Sequence, residues 1–287
     1  DRALSASEAG WLYELEKPLA PTITSQPNDL AVAVGSPASF TVEADGSNIT
    51  YQWLKEGVEI NGATAATHSI AAAANADAGI YTVRVSNDHG STLSEPAELR
   101  VGAPVNIVSQ PADQNATVGS TIKLEVEASG SAPMTYQWFK DNQAIANATG
   151  PTLILTEAIE TDAGNYHVVV TNDFGTPVTS RTAAVLVGIA PTLTVDLAED
   201  YLAALGDAHT FTVEASGTAP LTYEWLKDNN ATPLAANGAS LTLEPVTESD
   251  FGFYRVRVTN PFGSVTSRPA FLVVGGKPLI ITEPTTQ

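Results

Sequence analysis

The chain has 287 residues, 13 of them basic and 32 acidic, and it contains no cysteine. The absence of cysteine excludes disulfides, Cys-ligated zinc, iron–sulfur clusters and thiol catalysis. The net charge of −19 argues against nucleic acids and anionic membrane surfaces as partners. No apolar run approaches the roughly 20 residues that span a bilayer, so no membrane insertion is expected.

Residues 1–20 differ from the rest of the chain and are expected to form a leader with a short helix. Ser5 and Glu8 fit a capping box at its start. The stretch from Arg2 to Tyr13 resembles the closing strand and short helix of a LamG-like jelly-roll domain, which implies such a domain upstream in a longer protein. The alternative is an amphipathic leader docked on the next unit. The apolar residues on one side of the predicted helix are Leu4, Leu12 and Leu15.

Two motifs recur three times at nearly fixed spacing. The tryptophans of a Tyr-x-Trp-x-Lys motif lie 85 and 87 residues apart, and the tyrosine of an Asp-x-Gly-x-Tyr motif follows each tryptophan by 28, 28 and 29 residues. This spacing indicates three tandem units of about 86 residues. The motif residues are Trp53, Asp77, Gly79 and Tyr81 in the first unit, Trp138, Asp162, Gly164 and Tyr166 in the second, and Trp225, Asp250, Gly252 and Tyr254 in the third.

Each unit is composed of short predicted strands. Apolar residues alternate with mostly polar ones after each tyrosine, as in Tyr81-Val83-Val85, and before each tryptophan, as in Phe40-Val42-Ala44. This period of two predicts strands with one buried face. Asn and Gly close the strands after the tyrosines, as in Asn87-Asp88-His89-Gly90, and predict hairpin turns. The units are therefore expected to be all-β.

The pattern resembles an immunoglobulin-like domain of the intermediate (I-set) kind over residues 21–275. The resemblance implies a β-sandwich with a buried tryptophan on strand C and a tyrosine corner that leads into strand F. It also places a cysteine on strand B and another on strand F, but this chain has valine at all these positions. These valines are Val42 and Val83, Val126 and Val168, and Val213 and Val256.

The predicted domains are residues 21–102, 103–188 and 189–275. Short linkers with proline join them, which predicts an extended, semi-rigid rod whose domains contact only their neighbours. Residues 276–287 resemble the openings of the units and are expected to begin a fourth repeat. Each unit carries a net charge of −5 or −6, so the acidity is spread evenly and indicates no binding site.

No catalytic, cofactor-binding or metal-ligating residue is predicted, and no cofactor. The four histidines occupy unrelated positions in the repeat, and no known catalytic or nucleotide-binding motif occurs. Calcium is not favoured, although the stretch from Asp196 to Asp207 is its least unsuitable location. His68 takes a strand position that Leu153 and Leu241 hold in the other units, which predicts a weaker core in the first unit.

The predicted function is that of a non-catalytic structural and adhesive segment of a larger protein, extracellular or at the cell surface. The resemblance implies the extracellular setting, and the cysteine-free, acidic composition resembles bacterial versions of the family. The expected partners are the neighbouring domains of the same chain, with a protein or glycan ligand as an alternative function. A further alternative is an accessory segment of a multidomain secreted enzyme.

Overall fold

The computed structural model describes residues 5–7, 19–228, 234 and 237–276. Most of the predicted N-terminal helix and all but the first residue of the predicted tail lie outside the described residues. The predicted fold class is confirmed, because the described chain is all-β and forms three tandem immunoglobulin-like sandwiches.

The strands of the first sandwich all lie within residues 21–102. A 3-10 turn, Asn75–Asp77, precedes the long strand β8. The strands are β1 Thr22–Ser25, β2 Leu30–Ala33, β3 Ala38–Thr41, β4 Glu43–Asp45, β5 Thr50–Lys55, β6 Val58–Glu59, β7 Thr67–Ile70, β8 Gly79–Asn87, β9 Gly90–Leu93 and β10 Ala97–Gly102.

The second sandwich repeats this order within residues 103–188, with a 3-10 turn at Glu160–Asp162. Its strands are β11 Asn106–Ser109, β12 Gln114–Thr117, β13 Ile122–Glu125, β14 Glu127–Ser129, β15 Thr135–Lys140, β16 Gln143–Ala144, β17 Thr152–Leu155, β18 Gly164–Thr171, β19 Val178–Thr179 and β20 Ala183–Gly188.

The third sandwich lies within residues 189–275, with a 3-10 turn at Glu248–Asp250. Its described strands are β21 Thr192–Val195, β22 Asp200–Ala204, β23 His209–Thr212, β24 Glu214–Ser216, β25 Thr222–Lys227, β26 Ser240–Leu243, β27 Gly252–Asn260, β28 Gly263–Thr266 and β29 Ala270–Gly275.

Two layers face each other in every domain. The larger sheet of the first domain has the order β2-β10-β8-β5-β6, and β2 runs parallel to β10. The opposite layer consists of the antiparallel pairs β1–β4 and β3–β7. Alternate residues of each strand point inward, so the core lies between the layers.

The strand predicted around Val42 is divided in two. Residues 38–41 pair with β7, whereas residues 43–45 pair with β1, so the chain changes partner at Val42. The backbone N–H of Val42 donates to the carbonyl of Ala66 at 3.1 Å. The period-two pattern persists across this point because the side chains keep alternating, and Val42 remains buried.

The turns predicted after the tyrosine strands form hairpins in the first and third domains, where Asn87 pairs with Gly90 and Asn260 with Gly263. In the second domain the ladder ends earlier, at Val170 and Val178. This connection has one more residue and contains Pro177, which has no N–H to donate to the ladder. The Asn and Gly residues therefore mark the position of the turn in all three units. The extra residue in the second unit decides how far the hairpin ladder extends.

Candidate functional site

The inter-sheet core contains the tryptophans and the valines that occupy the cysteine positions. Trp138 is fully buried, and its direct neighbour on the adjacent strand is Val168. The indole N–H of Trp138 donates to the carbonyl of Gly150 at 2.9 Å. Val126 and Val168 belong to the same buried cluster as Trp138, so apolar packing occupies the place of the family's disulfide. The equivalent residues, also buried, are Trp53, Val42 and Val83 in the first domain, and Trp225, Val213 and Val256 in the third.

A buried serine lies beside the buried valine of β8, β18 and β27, and the sequence patterns do not predict it. The Oγ of Ser180 accepts the backbone N–H of Val168 at 3.0 Å and donates to the carbonyl of Arg181 at 2.8 Å. The N–H would otherwise be a buried donor without a partner. The available sequence signal was a serine 11 or 12 residues after each valine. The equivalent pairs are Ser94 with Val83 and Ser267 with Val256.

The tyrosine corner has the same hydrogen bonds in all three domains. The hydroxyl of Tyr166 donates to the carbonyl of Asp162 at 2.7 Å, and the carboxylate of Asp162 accepts the N–H of Ile159 at 2.9 Å. These bonds fix the turn that leads into strand F, so the polar groups of the motif are used structurally. The equivalent tyrosine bonds join Tyr81 to Asp77 and Tyr254 to Asp250.

The glycine of each corner allows a close approach by the end of strand C. Gly252 has a φ of +145°, and a Cβ atom there would lie 2.5 Å from a carboxylate oxygen of Asp228. That carboxylate accepts the backbone N–H of Phe253 at 2.8 Å. Gly79, at φ +142°, makes the same approach to Glu56. A side chain at either glycine would collide with the carboxylate that accepts a backbone N–H near the start of the following strand. Gly164 lies beside Asp141 in the second domain.

We expect the middle domain to lose stability between pH 10 and pH 12. Burial, with smaller contributions from Asp162 and Asp141, raises the pKa of Tyr166 to about 12. The unfolded chain releases this proton near pH 10, so the free energy of unfolding is fully present below pH 10 and falls as the pH rises towards 12. Urea unfolding of the middle domain at pH 8, 10 and 11 measures this. Tyr166→Phe is the control, because phenylalanine cannot ionise. Parallel pH profiles for parent and variant would contradict the assignment.

His68 lies within the aromatic core of the first domain. Its ring centroid is 6.0 Å from that of Trp53 and 5.8 Å from that of Tyr81, and its strand neighbour is Phe40. Burial lowers the pKa of His68, and the carboxylate of Asp77 partly opposes this shift. The neutral form is therefore the one that the folded domain favours.

Replacing His68 with leucine is expected to stabilise the first domain, by about 1 kcal/mol at pH 8 and by more at pH 5. Because the folded-state pKa is lowered, the histidine's contribution is present above about pH 6.5 and is lost as the pH falls below it. Thermal unfolding at pH 8 and pH 5 tests this, with His89→Leu in an exposed turn as the control. A parent domain that is equally stable at both pH values would rule out this role.

The other histidines do not assemble a site with His68. His209 makes edge-to-face contacts with Tyr201 and Phe211, and its Nε2 is buried without a hydrogen-bond partner among the described residues. Burial also lowers the pKa of His209. His167 stacks on Phe139 with ring centroids 5.0 Å apart. Within residues 5–7, 19–228, 234 and 237–276, no group of three or more His, Asp or Glu residues could hold a metal ion.

The junction between the first two domains is built around Phe174, at the tip of the turn that follows β18. Phe174 is nearly buried, and a Cβ added at Gly102 would lie 2.8 Å from its ring. Beside this contact, Arg100 of the first domain pairs with Asp173 of the second at 2.7 Å. This ion pair is half-exposed, so the phenylalanine on the glycine is the main contact.

An asparagine ties the same turn to the linker. The amide nitrogen of Asn172 donates to the carbonyls of Ala103 and Ser131 at 2.8 and 3.0 Å. Ser131 in turn accepts the N–H of Ala103 through its hydroxyl at 2.9 Å. The linker backbone is therefore part of the second domain's hydrogen-bond network and not a free tether.

The junction between the second and third domains repeats this arrangement. Phe262 lies against Gly188, where a Cβ would collide with its ring. Asn260 donates to the carbonyls of Ile189 and Thr218, both at 2.8 Å. The sequence patterns predict these turns only as hairpins and do not indicate the phenylalanine–glycine pairs. The signal was a Phe before the turn glycine in the second and third units, where the first unit has His89.

A family model matches the chain three times, once in each of the three domains. The family model described as "Immunoglobulin domain" matches residues 20–87, 104–172 and 190–260. Among the described residues, no helix has the length and apolar character needed to cross a membrane.

Curated relatives include the muscle M-line assembly protein unc-89 of Caenorhabditis elegans, 27% identical over 86% of this chain and 3% of that protein. The human peroxidasin homolog is 26% identical over 85% of this chain and 18% of its own length. Mouse roundabout homolog 1 is 27% identical over 86% of this chain and 17% of its own length. The chain thus spans less than a fifth of each of these relatives.

Solved structures share the fold. The I-band fragment I67-I69 from titin has a TM-score of 0.57 and 21% identity, over 90% of this chain and 99% of the fragment. The extracellular domains 3–5 of Drosophila OTK have a TM-score of 0.52 and 21% identity, over 90% of this chain and 98% of theirs. These likenesses establish the fold of the tandem array.

Proposed function

Because this chain belongs to the immunoglobulin domain family and carries three of its domains in tandem, we propose that it is a non-catalytic structural and adhesive segment of a larger secreted or cell-surface protein. Its role is that of a semi-rigid spacer that holds other parts of the protein at a set distance. The observation that carries this proposal is the repeated junction, in which Phe174 and Phe262 contact Gly102 and Gly188.

The junctions support stiffness for two reasons. Each aromatic ring packs where a preceding strand ends in glycine, and each linker backbone is hydrogen-bonded by an asparagine of the following domain. Bending a junction would therefore expose a ring and break those bonds. The even acidic charge keeps neighbouring spacers soluble.

The proposal extends to a bacterial setting. Its support is the replacement of both cysteines by valine in all three domains, which allows folding in any redox environment.

Small-angle X-ray scattering of the chain tests the spacer role. We expect an elongated particle whose maximum dimension is close to the sum of three domains in line. Phe174→Ser and Phe262→Ser together are expected to broaden the distance distribution while circular dichroism and unfolding midpoints remain near those of the parent. The control is Phe139→Ser, which removes a partly exposed phenylalanine away from the junctions. A compact particle, or a distribution that the junction variants leave unchanged, would refute the role.

A protein-binding module is the second candidate, and the exposed aromatic residues of the third domain favour it. Phe251 and Phe253 are about half exposed on one sheet face. A pull-down or glycan array with the described domains distinguishes this from a pure spacer, since specific binding that the Phe251→Ser variant abolishes would support it. The accessory-enzyme alternative depends on what else the longer protein contains.

A further inference from the structure

The third domain carries a contiguous apolar surface on the outer face of its larger sheet. We define the aromatic patch as Leu202, Phe251, Phe253, Phe271 and Val273. The ring centroid of Phe271 lies 5.0 Å from that of Phe251 and 4.7 Å from that of Phe253. Leu202 neighbours Val273 on the adjacent parallel strand. Leu202 is 77% exposed, Phe251 52% and Phe253 48%.

The fold does not require this patch, because the first domain has different residues at the same positions. Its strand pair Ile80 and Glu98 corresponds to Phe253 and Phe271, and Arg100 and Ala31 correspond to Val273 and Leu202. Ala78 takes the place of Phe251.

The second domain is also largely polar or small on this face. Asn165 and Ala184 correspond to Phe253 and Phe271, and Asn115 corresponds to Leu202. Ala163 takes the place of Phe251, and only Leu186 remains large and apolar. The three adjacent phenylalanines therefore belong to the third domain alone among the three repeats.

A following domain attached in the same way would leave the aromatic patch open. Leu186, which corresponds to Val273, is still 49% exposed although the third domain follows it directly. Arg100, at the same position of the first domain, pairs with Asp173 of the second domain and still remains about half exposed. The main junction contact lies further along, at the glycine that ends each strand. A following domain attached in this way therefore leaves most of the patch exposed.

Charges at the two ends of the patch favour a second copy of this chain as its partner. Glu248 lies in the 3-10 turn just before Phe251, and Arg255 lies after Phe253 on the outer face of β27. Both are exposed, and neither has an ion-pair partner among the described residues. A two-fold axis between two such faces, at right angles to the strands, places the acidic end of each patch over the basic end of the other. The patch is therefore self-complementary, as an isologous contact requires.

We propose that the aromatic patch of the third domain pairs two copies of this chain, face to face and antiparallel. Aromatic side chains carry roughly 150–250 Å² each, so the exposed fractions amount to roughly 400 Å² of apolar surface per copy. Together with a polar rim, the area that two copies would bury reaches the low end of the range for specific protein–protein interfaces. A dissociation constant on the order of 100 μM is therefore expected. The net charge of −19 on each copy does not prevent this, since physiological salt screens charges beyond about 8 Å. This inference does not depend on the spacer role.

Sedimentation velocity of the whole chain at 150 mM salt and increasing concentration tests the proposal. We expect the weight-average mass to rise towards a dimer, and Leu202→Ser with Phe251→Ser to raise the dissociation constant at least tenfold. Leu186→Ser, at the corresponding position of the second domain, is the matched control and is expected to leave pairing unchanged. Circular dichroism checks that each variant is folded.

A charge exchange separates the proposed pairing from unspecific adhesion between apolar surfaces. Arg255→Glu is expected to weaken pairing about tenfold, and Glu248→Arg in the same chain is expected to restore it, because the two ends then match again. A chain that stays monomeric up to millimolar concentration would overturn the proposal and leave the patch to a different protein. A dimer indifferent to both the patch and the charge variants would overturn it as well.

Discussion

Replacing Trp138 with alanine is expected to lower the free energy of unfolding of the middle domain by about 3–5 kcal/mol. The indole is fully buried among the core residues of both sheets, with Val168 as its direct strand neighbour. Its removal leaves a cavity that the rigid strands cannot close, and it deprives the carbonyl of Gly150 of its donor. A single domain has a total stability of about 5–15 kcal/mol, so the loss is a large share of it.

Hydrogen exchange of peptides from each domain, measured at increasing urea, is the suitable experiment because it reports the three domains separately. The first and third domains are expected to keep their midpoints. Gln143→Ala, on an exposed edge strand, is the control. Unchanged protection in the middle domain would contradict its core assignment. Equal losses in all three would show that the array unfolds as one unit and that the junctions couple the cores strongly.

The elements that the sequence predicted well are those decided within one repeat. The alternation around Tyr166 and the burial of Trp138 depend on period-two patterning, which acts between neighbouring residues and strands of one sandwich. The hydrogen bond that the backbone N–H of Val168 donates to Ser180 was missed because Ser180 lies after the hairpin, outside the period-two pattern of the strand.

Features that depend on how whole domains or distant strands are arranged could not be predicted from the sequence patterns. Phe174 resembles an ordinary turn residue until the preceding domain places Gly102 beneath its ring. The aromatic patch is equally hidden, because Leu202 and Val273 lie far apart in the chain and meet only through the parallel pairing of β22 with β29. Comparing equivalent positions of the three repeats would have shown that the third is unusually aromatic, but not that those residues share one face.

Restoring the family's disulfide by Val126→Cys with Val168→Cys is expected to stabilise the middle domain by about 4 kcal/mol in oxidising conditions. The bond closes a loop of roughly 40 residues, and the chain-entropy model assigns this value to the loss of unfolded conformations. Both valines are buried beside Trp138, at the two positions where the family has its cysteines. The backbone N–H of residue 168 can keep its bond to Ser180, because that bond does not involve the substituted side chain.

The reduced form of the same variant isolates the effect of the bond. With both thiols free, the domain is expected to be slightly less stable than the parent, because each cysteine buries less apolar surface than valine. The difference between the two forms then measures the cross-link alone. If the thiols fail to join, or the joined form unfolds earlier than the parent, the valine-packed core holds its sheets at a separation that the bond cannot span. If the bond forms and stabilises, Val126 and Val168 replace the disulfide of the middle domain without a change of architecture. Packing alone then supports a fold that functions in any redox environment.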